Sequence, residues 1–341
     1  MMKEQDNYEW MVCVKCLTFN HAPYIVDAMN GFTMQETNFP FVCAIVDDAS
    51  TDGEQEVIEN YLSEHFDLED KKIARHEETD DYVLTFARHK TNLNCYFAVY
   101  YLKYNHYKKK PKISYYARLL EQSKYVAICE GDDYWINCDK LQLQTKFLEN
   151  NADYSMVYGS VEIIDKSRKI TGRIFGGPSE SFEDLIVKST IPTLTVMHRK
   201  EILDNYFRDI KPAGRGWLMG DYPKWLYLSH ESKIKFLPIK MGCYRLLDES
   251  SSHSKFFEKS DKFVNSLFDM KGFFYEYYNV NSDLNDFKYK SLAMNALKFG
   301  NREKTLEYLC RIKKRSILVR LLMMASKSKC IFSAISHFKN R

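Results

Sequence analysis

No window of this sequence reaches the run of about 18 apolar residues that a membrane-spanning helix needs, so the chain is not expected to thread a bilayer. Glycine is missing where a bound nucleotide cofactor would want it. The first strand-to-helix turn, "LTFNHAPYI", has none, which removes the close backbone approach to a pyrophosphate that G-x-G-x-x-G provides. No glycine-rich loop ends in Lys-Ser or Lys-Thr either. Dinucleotide enzymes of the Rossmann class and P-loop enzymes are therefore disfavoured, and any phosphate must be neutralised by a metal or by side chains. The nine cysteines follow no repeating spacing. The close pair Cys13 and Cys16 sits in the strand-like run "MVCVKCLTF", where positions three apart face opposite sides, which argues against a zinc site there. An odd, scattered cysteine count, with an N-terminus "MMKEQDNYEW" that lacks a basic-then-apolar leader, leads to the expectation of a reducing cytoplasm. Acid is missing from the end: residues 311–341 hold nine of the 49 Lys/Arg and none of the 46 Asp/Glu. Internal repeats and low-complexity segments are absent as well.

What is present is ordinary globular material, 45% hydrophobic and 28% charged, enough for one large domain with an appendage. "WMVCVKCLTF" reads as a buried strand feeding a helix in which Ile25, Ala28, Met29 and Phe32 repeat at helical spacing, with Pro23 in its first turn. "FPFVCAIVDDASTDGEQEVIENYLSEHF" repeats the arrangement: a strand over Phe41 to Val46, then a helix opened by a Thr51 to Glu54 capping box and carrying Val57, Ile58, Tyr61 and Leu62. The β-α-β-α order predicts a mostly parallel sheet flanked by helices. Between Asp67 and Lys112 the aromatic stretch "NCYFAVYYLKYNHY" reads as a helix over the sheet. A further strand, Tyr125 to Cys129, ends in "EGDDYW" and is followed by a helix with Leu141, Thr145 and Leu148 on one face. "TLTVMHRK" reads as a strand and "DYPKWLYLSHES" as a helix started by Asp221. From residue 255 onward the residues are mostly helix formers, so the expected division is an α/β domain over 1–254 and a helical, basic extension over 255–341.

Both conspicuous acid pairs, Asp47-Asp48 and Asp132-Asp133, fall at the carboxyl ends of predicted strands, where open parallel sheets bind ligands. Adjacent carboxylates repel and raise one another's pKa unless a cation or a donor-rich ligand intervenes. A divalent metal held by one or two carboxylates and a substrate's phosphates is the usual resolution. "DDASTD" also has the composition of a turn and helix cap. In "EGDDYW" capping can fall to Asn137 or Asp139, which leaves that pair surplus to the role.

In order, "VKCLTFNHAPYIVDAMNGFTMQ", "FVCAIVDDASTDG", "YVAICEGDDYW" and "GWLMGDYPKWLYLS" resemble the inverting nucleotide-sugar glycosyltransferases of family 2, of the kind that builds bacterial surface polysaccharides, which have the GT-A (Rossmann-like) fold. The likeness covers roughly the first 250 residues, and it is the four motifs in register that carry it. It implies a nucleobase contact at Asp48, with Thr18 and Phe19 lining the same pocket. It implies a divalent metal, Mn²⁺ or Mg²⁺, at Asp133, with Asp132 near the ribose and phosphate, and a catalytic base at Asp221. The implied substrates are a nucleotide-diphospho-sugar donor and a saccharide or lipid-linked saccharide acceptor. The chain departs from the family in its third helix, where Asn-x-Gly and Arg-Asn give way to "TNLNCYFAVYY". After the final Tyr-Arg, where a histidine is common shortly downstream, it has "YRLLDESSSHS", so that role falls to Asp248, to His253 or to neither.

The chemistry fits those assignments on its own terms. Inverting transfer needs a carboxylate to take the acceptor's proton, an open face at the anomeric carbon and a cation for the departing diphosphate. Trp135, Trp217 and Trp225 offer indole faces suited to sugar rings, core packing being the alternative for each. Asp221 would also serve as an N-cap. A catalytically inactive carbohydrate- or nucleotide-binding domain, and a metal-dependent nucleotidyltransferase, are the other readings of the same residues. The tail, with Ile317, Leu318, Leu321 and Leu322 among basic residues, reads either as a helix lying on an anionic membrane surface, placing the protein on the inner face of the cell membrane, or as a solvated basic helix. Nucleic acid is not an expected partner, because the body is acidic and carries no recognised module.

Overall fold

The computed structural model describes residues 8–107, 111–247, 255–280 and 284–339. The chain forms two compact units. One comprises Met1–Ile210 with Lys224–Leu246, the other Lys211–Pro223 with Leu247–Arg341.

The first unit is built on a parallel ribbon. Strands β1 (Trp10–Thr18) and β2 (Phe41–Asp47) pair in register from Val12 beside Phe41 to Thr18 beside Asp47. Every residue of β2 is buried, as in a strand covered on both faces. Helix α1 (Ile25–Thr33) joins them and buries Ile25, Ala28, Met29 and Phe32. Pro23 lies just before this helix, whose N-cap is Tyr24. Helix α2 (Glu54–His65) follows β2 and buries Ile58, Tyr61 and Leu62. It opens after Gly53, at φ 88°, which has no side chain to cap it; the Glu54 amide donates to Asp52 Oδ1 at 3.2 Å. The Thr51–Glu54 box therefore does not form; the Thr51 amide donates to Asn20 Oδ1 at 2.8 Å instead.

Strands β3 (Phe66–Asp67), β4 (Arg75–Glu78), β5 (Tyr82–His89) and β6 (Cys95–Leu102) come next. The aromatic stretch expected as a helix is β6, parallel to β2 from Cys95 beside Phe41 to Tyr101 beside Asp47 and antiparallel to β5. All its residues but Tyr96 are buried. A strand sandwiched on both faces shows no alternation, so periodicity alone cannot separate it from a buried helix.

Helix α3 (Ile113–Glu121) leads to β7 (Ser123–Ile128), which pairs in parallel with the other side of β1. Beyond it lie β8 (Tyr134–Trp135), α4 (Lys140–Asn150), β9 (Tyr154–Ile164), β10 (Ile170–Phe175), α5 (Phe182–Val187), β11 (Met197–Arg199), α6 (Lys200–Ile210), α7 (Tyr222–Glu231) and β12 (Lys233–Arg245). Only Met197–Arg199 of "TLTVMHRK" is strand; Thr193–Thr195 form a 3₁₀ turn. The sheet runs β3-β5-β6-β2-β1-β7-β11-β9-β12-β8, with β10 on β9 and β4 on β5. The sheet is the mixed α/β architecture expected from the sequence, mostly parallel in its core, with antiparallel pairs toward its edges and helices on its faces. Val14 and Cys16 pack into one face's core with Ile25, Phe32 and Leu141. Cys13 packs into the other with Ala44, Val126 and Tyr116.

The second unit is helical: α8 (Phe257–Tyr277), α9 (Asn285–Lys298), α10 (Arg302–Cys310), α11 (Ile317–Lys327) and α12 (Lys329–Lys339). Leu292, Ala293 and Ala296 of α9 bury against Tyr308, Leu309 and Val319. Asn301 caps α10 by accepting from the Lys304 amide at 3.1 Å. The segment Lys211–Pro223 belongs to this unit. In it, Trp217 stacks on Phe274 at 6.0 Å and the Leu218 amide donates to Ser266 Oγ at 2.9 Å.

Candidate functional site

Parallel pairing brings the carboxyl ends of β1, β2 and β7 to one edge of the sheet, and two acidic clusters form there. The first gathers Thr18, Asp47, Asp48 and Glu54. The Asp48 amide donates to the Thr18 carbonyl at 3.0 Å, linking the tips of β1 and β2. The Asp48 carboxylate accepts from the His106 amide at 2.7 Å through Oδ1 and pairs with Lys112 Nζ at 2.6 Å through Oδ2. Asp47 is fully buried; its Oδ2 accepts from the Ser50 amide and from Gln55 Nε2, and its Oδ1 has no hydrogen-bond partner. Burial, with the neighbouring Asp48 charge adding to it, pushes its pKa up. Repulsion within this pair is thus relieved by giving one acid a cation and sinking the other, as expected for adjacent carboxylates.

Glu54 is the residue that sequence reasoning placed in a helix cap. It is buried, accepts from the Thr18 hydroxyl, from the His21 amide at 2.9 Å and from Ser50 Oγ at 2.8 Å, and burial raises its pKa. It ties the first turn to the second. The signal that could have found it is the run "NHA", whose amides stand free of a helix and need acceptors: Ser50 Oγ takes the Asn20 amide at 2.9 Å, Glu54 the His21 amide and Asp52 the Ala22 amide at 2.9 Å. Thr18 is buried here, whereas Phe19 is 41% exposed.

The second cluster is "EGDD". Glu130 turns back to accept from Lys15 Nζ at 3.0 Å and the Leu17 amide at 2.9 Å. Gly131 has to be glycine, because a Cβ there would lie 2.2 Å from Thr18 Oγ1. Asp132 is partly exposed. Asp133 is buried, and its Oδ1 accepts from the Arg245 backbone amide at 2.8 Å. Burial first, and the Asp132 charge second, hold its pKa well above the usual carboxylate range. Arg245, at the end of β12, also donates from Nε to the Asp132 carbonyl at 2.9 Å and from one Nη to Asp27 Oδ2 at 2.9 Å; the other Nη is buried without a partner. Its guanidinium lies 4.5 Å from the centre of the Tyr24 ring. Arg168 closes on Asp27 from outside at 2.8 Å. Sequence reasoning missed Arg245, since nothing local connects it with an acid pair 112 positions earlier.

Hard oxygen donors at Asp132 and Asp133 suit Mg²⁺ or Mn²⁺. Among the described residues no three His, Cys, Asp or Glu side chains gather as a metal cage, so a cation bound at this pair would take its remaining ligands from water or a substrate's phosphates.

The other sequence candidates separate. Trp135 and Trp225 are each 1% exposed, so the core alternative applies to both. The Trp135 indole donates to the Leu194 carbonyl at 2.7 Å, its ring covered by Lys140 Nζ at 4.0 Å. A ring so enclosed presents no face to a sugar. Trp217 is partly exposed and lies in the second unit, with the Arg215 guanidinium 5.3 Å from its ring centre. Asp221, partly exposed and directly before α7, also belongs to that unit. His253 and Asp248 lie outside the described residues.

No protein-family model matches the chain. It is similar to the uncharacterized proteins Mb1547 of Mycobacterium bovis and Rv1520 of Mycobacterium tuberculosis, each 25% identical over 254 residues, or 71% of this chain and 61% of theirs. The match thus spans about three-fifths of the length of these curated relatives. Among solved structures it is similar to Staphylococcus aureus TarS in complex with UDP-GlcNAc (15% identity, 96% and 90% of the two chains, TM-score 0.46). It is also similar to the mannosyltransferase PcManGT from Pyrobaculum calidifontis in complex with GDP-Man and Mn²⁺ (12% identity, 98% and 89%, TM-score 0.47).

Proposed function

We propose that this chain is a metal-dependent inverting glycosyltransferase that moves a sugar from a nucleotide-diphospho-sugar to a saccharide or lipid-linked saccharide. The observation that carries the reading is the second acidic cluster: one partly exposed and one buried carboxylate, clamped at a strand tip by a buried arginine, beside the Thr18 and Asp48 turn that the family resemblance assigns to the nucleobase.

In this reading Thr18, Phe19 and Asp48 form the nucleoside end of the site. The Asp48 carboxylate is engaged by the His106 amide and Lys112, so the base exchanges one of these contacts for its own N–H. Asp132 and Asp133 receive the divalent cation. The cation's chemistry is to neutralise the charge that develops on the departing diphosphate. Asp132 offers it an accessible oxygen. Asp133, fixed by the Arg245 amide, holds the pair's shape. Asp221 takes the proton from the acceptor hydroxyl as that oxygen attacks the anomeric carbon, and the bond to the diphosphate breaks on the opposite face.

Asp221→Asn is the decisive variant. Asn retains a capping side chain, so the melting temperature should hold and donor affinity should persist, while the transfer rate falls by roughly 10²- to 10⁴-fold. A normal rate would reject the base. Titration calorimetry of Asp132→Asn and Asp133→Asn with uridine and guanosine diphosphates tests the other end: Mn²⁺-dependent affinity should be lost in both, and its survival in both would reject a metal at the pair.

A further inference from the structure

We propose that α11, with the start of α12, is a docking surface for an anionic lipid bilayer. This helix is apolar on two faces, of which only one is packed. At 100° per residue Ile317, Leu321 and Met324 form one stripe, and Val319 and Ser326 lie opposite it. The buried residues of α11 are Val319 and Ser326, and the partly buried Leu322 and Met323 pack against the same core. The apolar stripe faces out, with Ile317 78% and Met324 69% exposed, and Leu318 and Leu321 exposed beside it. A surface helix normally has one apolar face, turned toward its core; Val319, Leu322 and Met323 already supply it here, so packing within the unit does not explain the second stripe. Ile331 of α12 extends the exposed apolar set.

Charge selects the occupant. Arg311, Lys313, Lys314 and Arg315 before the helix, Arg320 and Lys327 on it, and Lys329 after it are all exposed, and no Asp or Glu occurs from 311 to 341. A partner must therefore be negative at the rim and apolar beneath it. A bilayer with anionic headgroups supplies both layers, about 5–10 Å apart in depth. Nucleic acid supplies the charge without the apolar layer. A second copy of this chain brings the same positive rim, which repels. The inference is independent of the acidic site and of the reaction proposed for it.

The test is vesicle co-sedimentation of the full chain and of Leu321→Gln/Met324→Gln, whose exposed positions spare the fold. The full chain should partition at least about tenfold more strongly onto vesicles with about 30% phosphatidylglycerol than onto pure phosphatidylcholine. Raising salt from about 0.1 to about 0.5 M should weaken that binding, and the double variant should lose about tenfold. Three results would overturn the proposal: equal recovery of the full chain in the supernatant with both vesicles, undiminished binding by the double variant, or a dimer in size-exclusion chromatography that the double substitution dissolves while no vesicle is bound.

Discussion

Arg245 acts on the acidic tip through its backbone and its side chain at once, and the two can be separated by substitution. Arg245→Met keeps the amide that holds Asp133 and removes the guanidinium bonds to the Asp132 carbonyl and Asp27. Each hydrogen bond to a charged group contributes about 1.5–3 kcal/mol, and Asp27 retains Arg168. The expected result is a loss of about 2 kcal/mol in urea unfolding, with Mn²⁺-dependent nucleotide affinity falling more than the overall fold does. Arg245→Lys restores a charge to Asp27 but not the fork that reaches two acceptors, so it should recover stability before affinity. Equal recovery of both would show that the guanidinium serves the fold alone.

Helix α4 begins on a buried cation. Lys140 is fully enclosed, its Nζ donating to Gln144 Oε1 at 2.7 Å, and burial pulls its pKa from the ordinary 10.5 down to about 7. Between those values the unfolded chain holds a proton on this lysine that the folded chain has released. Stability should therefore rise with pH from about 7, by at most about 1.4 kcal/mol per pH unit, until buried thiols such as Cys13, pushed up to about 12, oppose it above pH 9. Lys140→Met should raise the melting temperature at pH 7 and flatten this slope; an unchanged slope in differential scanning calorimetry would place the proton elsewhere.

Elements such as α4 were legible because Leu141, Thr145 and Leu148 keep helical spacing, and β1, β2 and β7 because short apolar runs end at polar turns. β6 was not, since burial on both faces erases its alternation. Around the acid pairs, the strand-tip position of Asp48 and Asp133 could be read from order alone. Glu54 was misread because a capping box and a tertiary acceptor share one local pattern, and a left-handed Gly53 decides between them. The burial of Trp135 and Trp225 depends on strands far away in sequence.

At the scale of the whole molecule, the chain leaves the first unit at Lys211 and returns at Lys224, and the excursion containing Asp221 is held by the helical unit. Trp217 rests on Phe273 and Phe274. A chain ending at Leu246 should keep the sheet and Mn²⁺-dependent nucleotide binding yet lose transfer, with trypsin cutting at Arg215 faster than in the full chain. Unchanged protection of Arg215 would mean that this segment is held without α8.

The same return has a consequence in time. Arg245 follows Asp133 by 112 residues. On a ribosome adding about 5–20 residues per second, the acidic tip emerges roughly 6–20 s before the amide that fixes it. A nascent chain stalled in that interval carries the full "EGDD" motif with Glu130 already able to reach Lys15 and the Leu17 amide, while the Asp133 carboxylate is left to water until the last strand arrives.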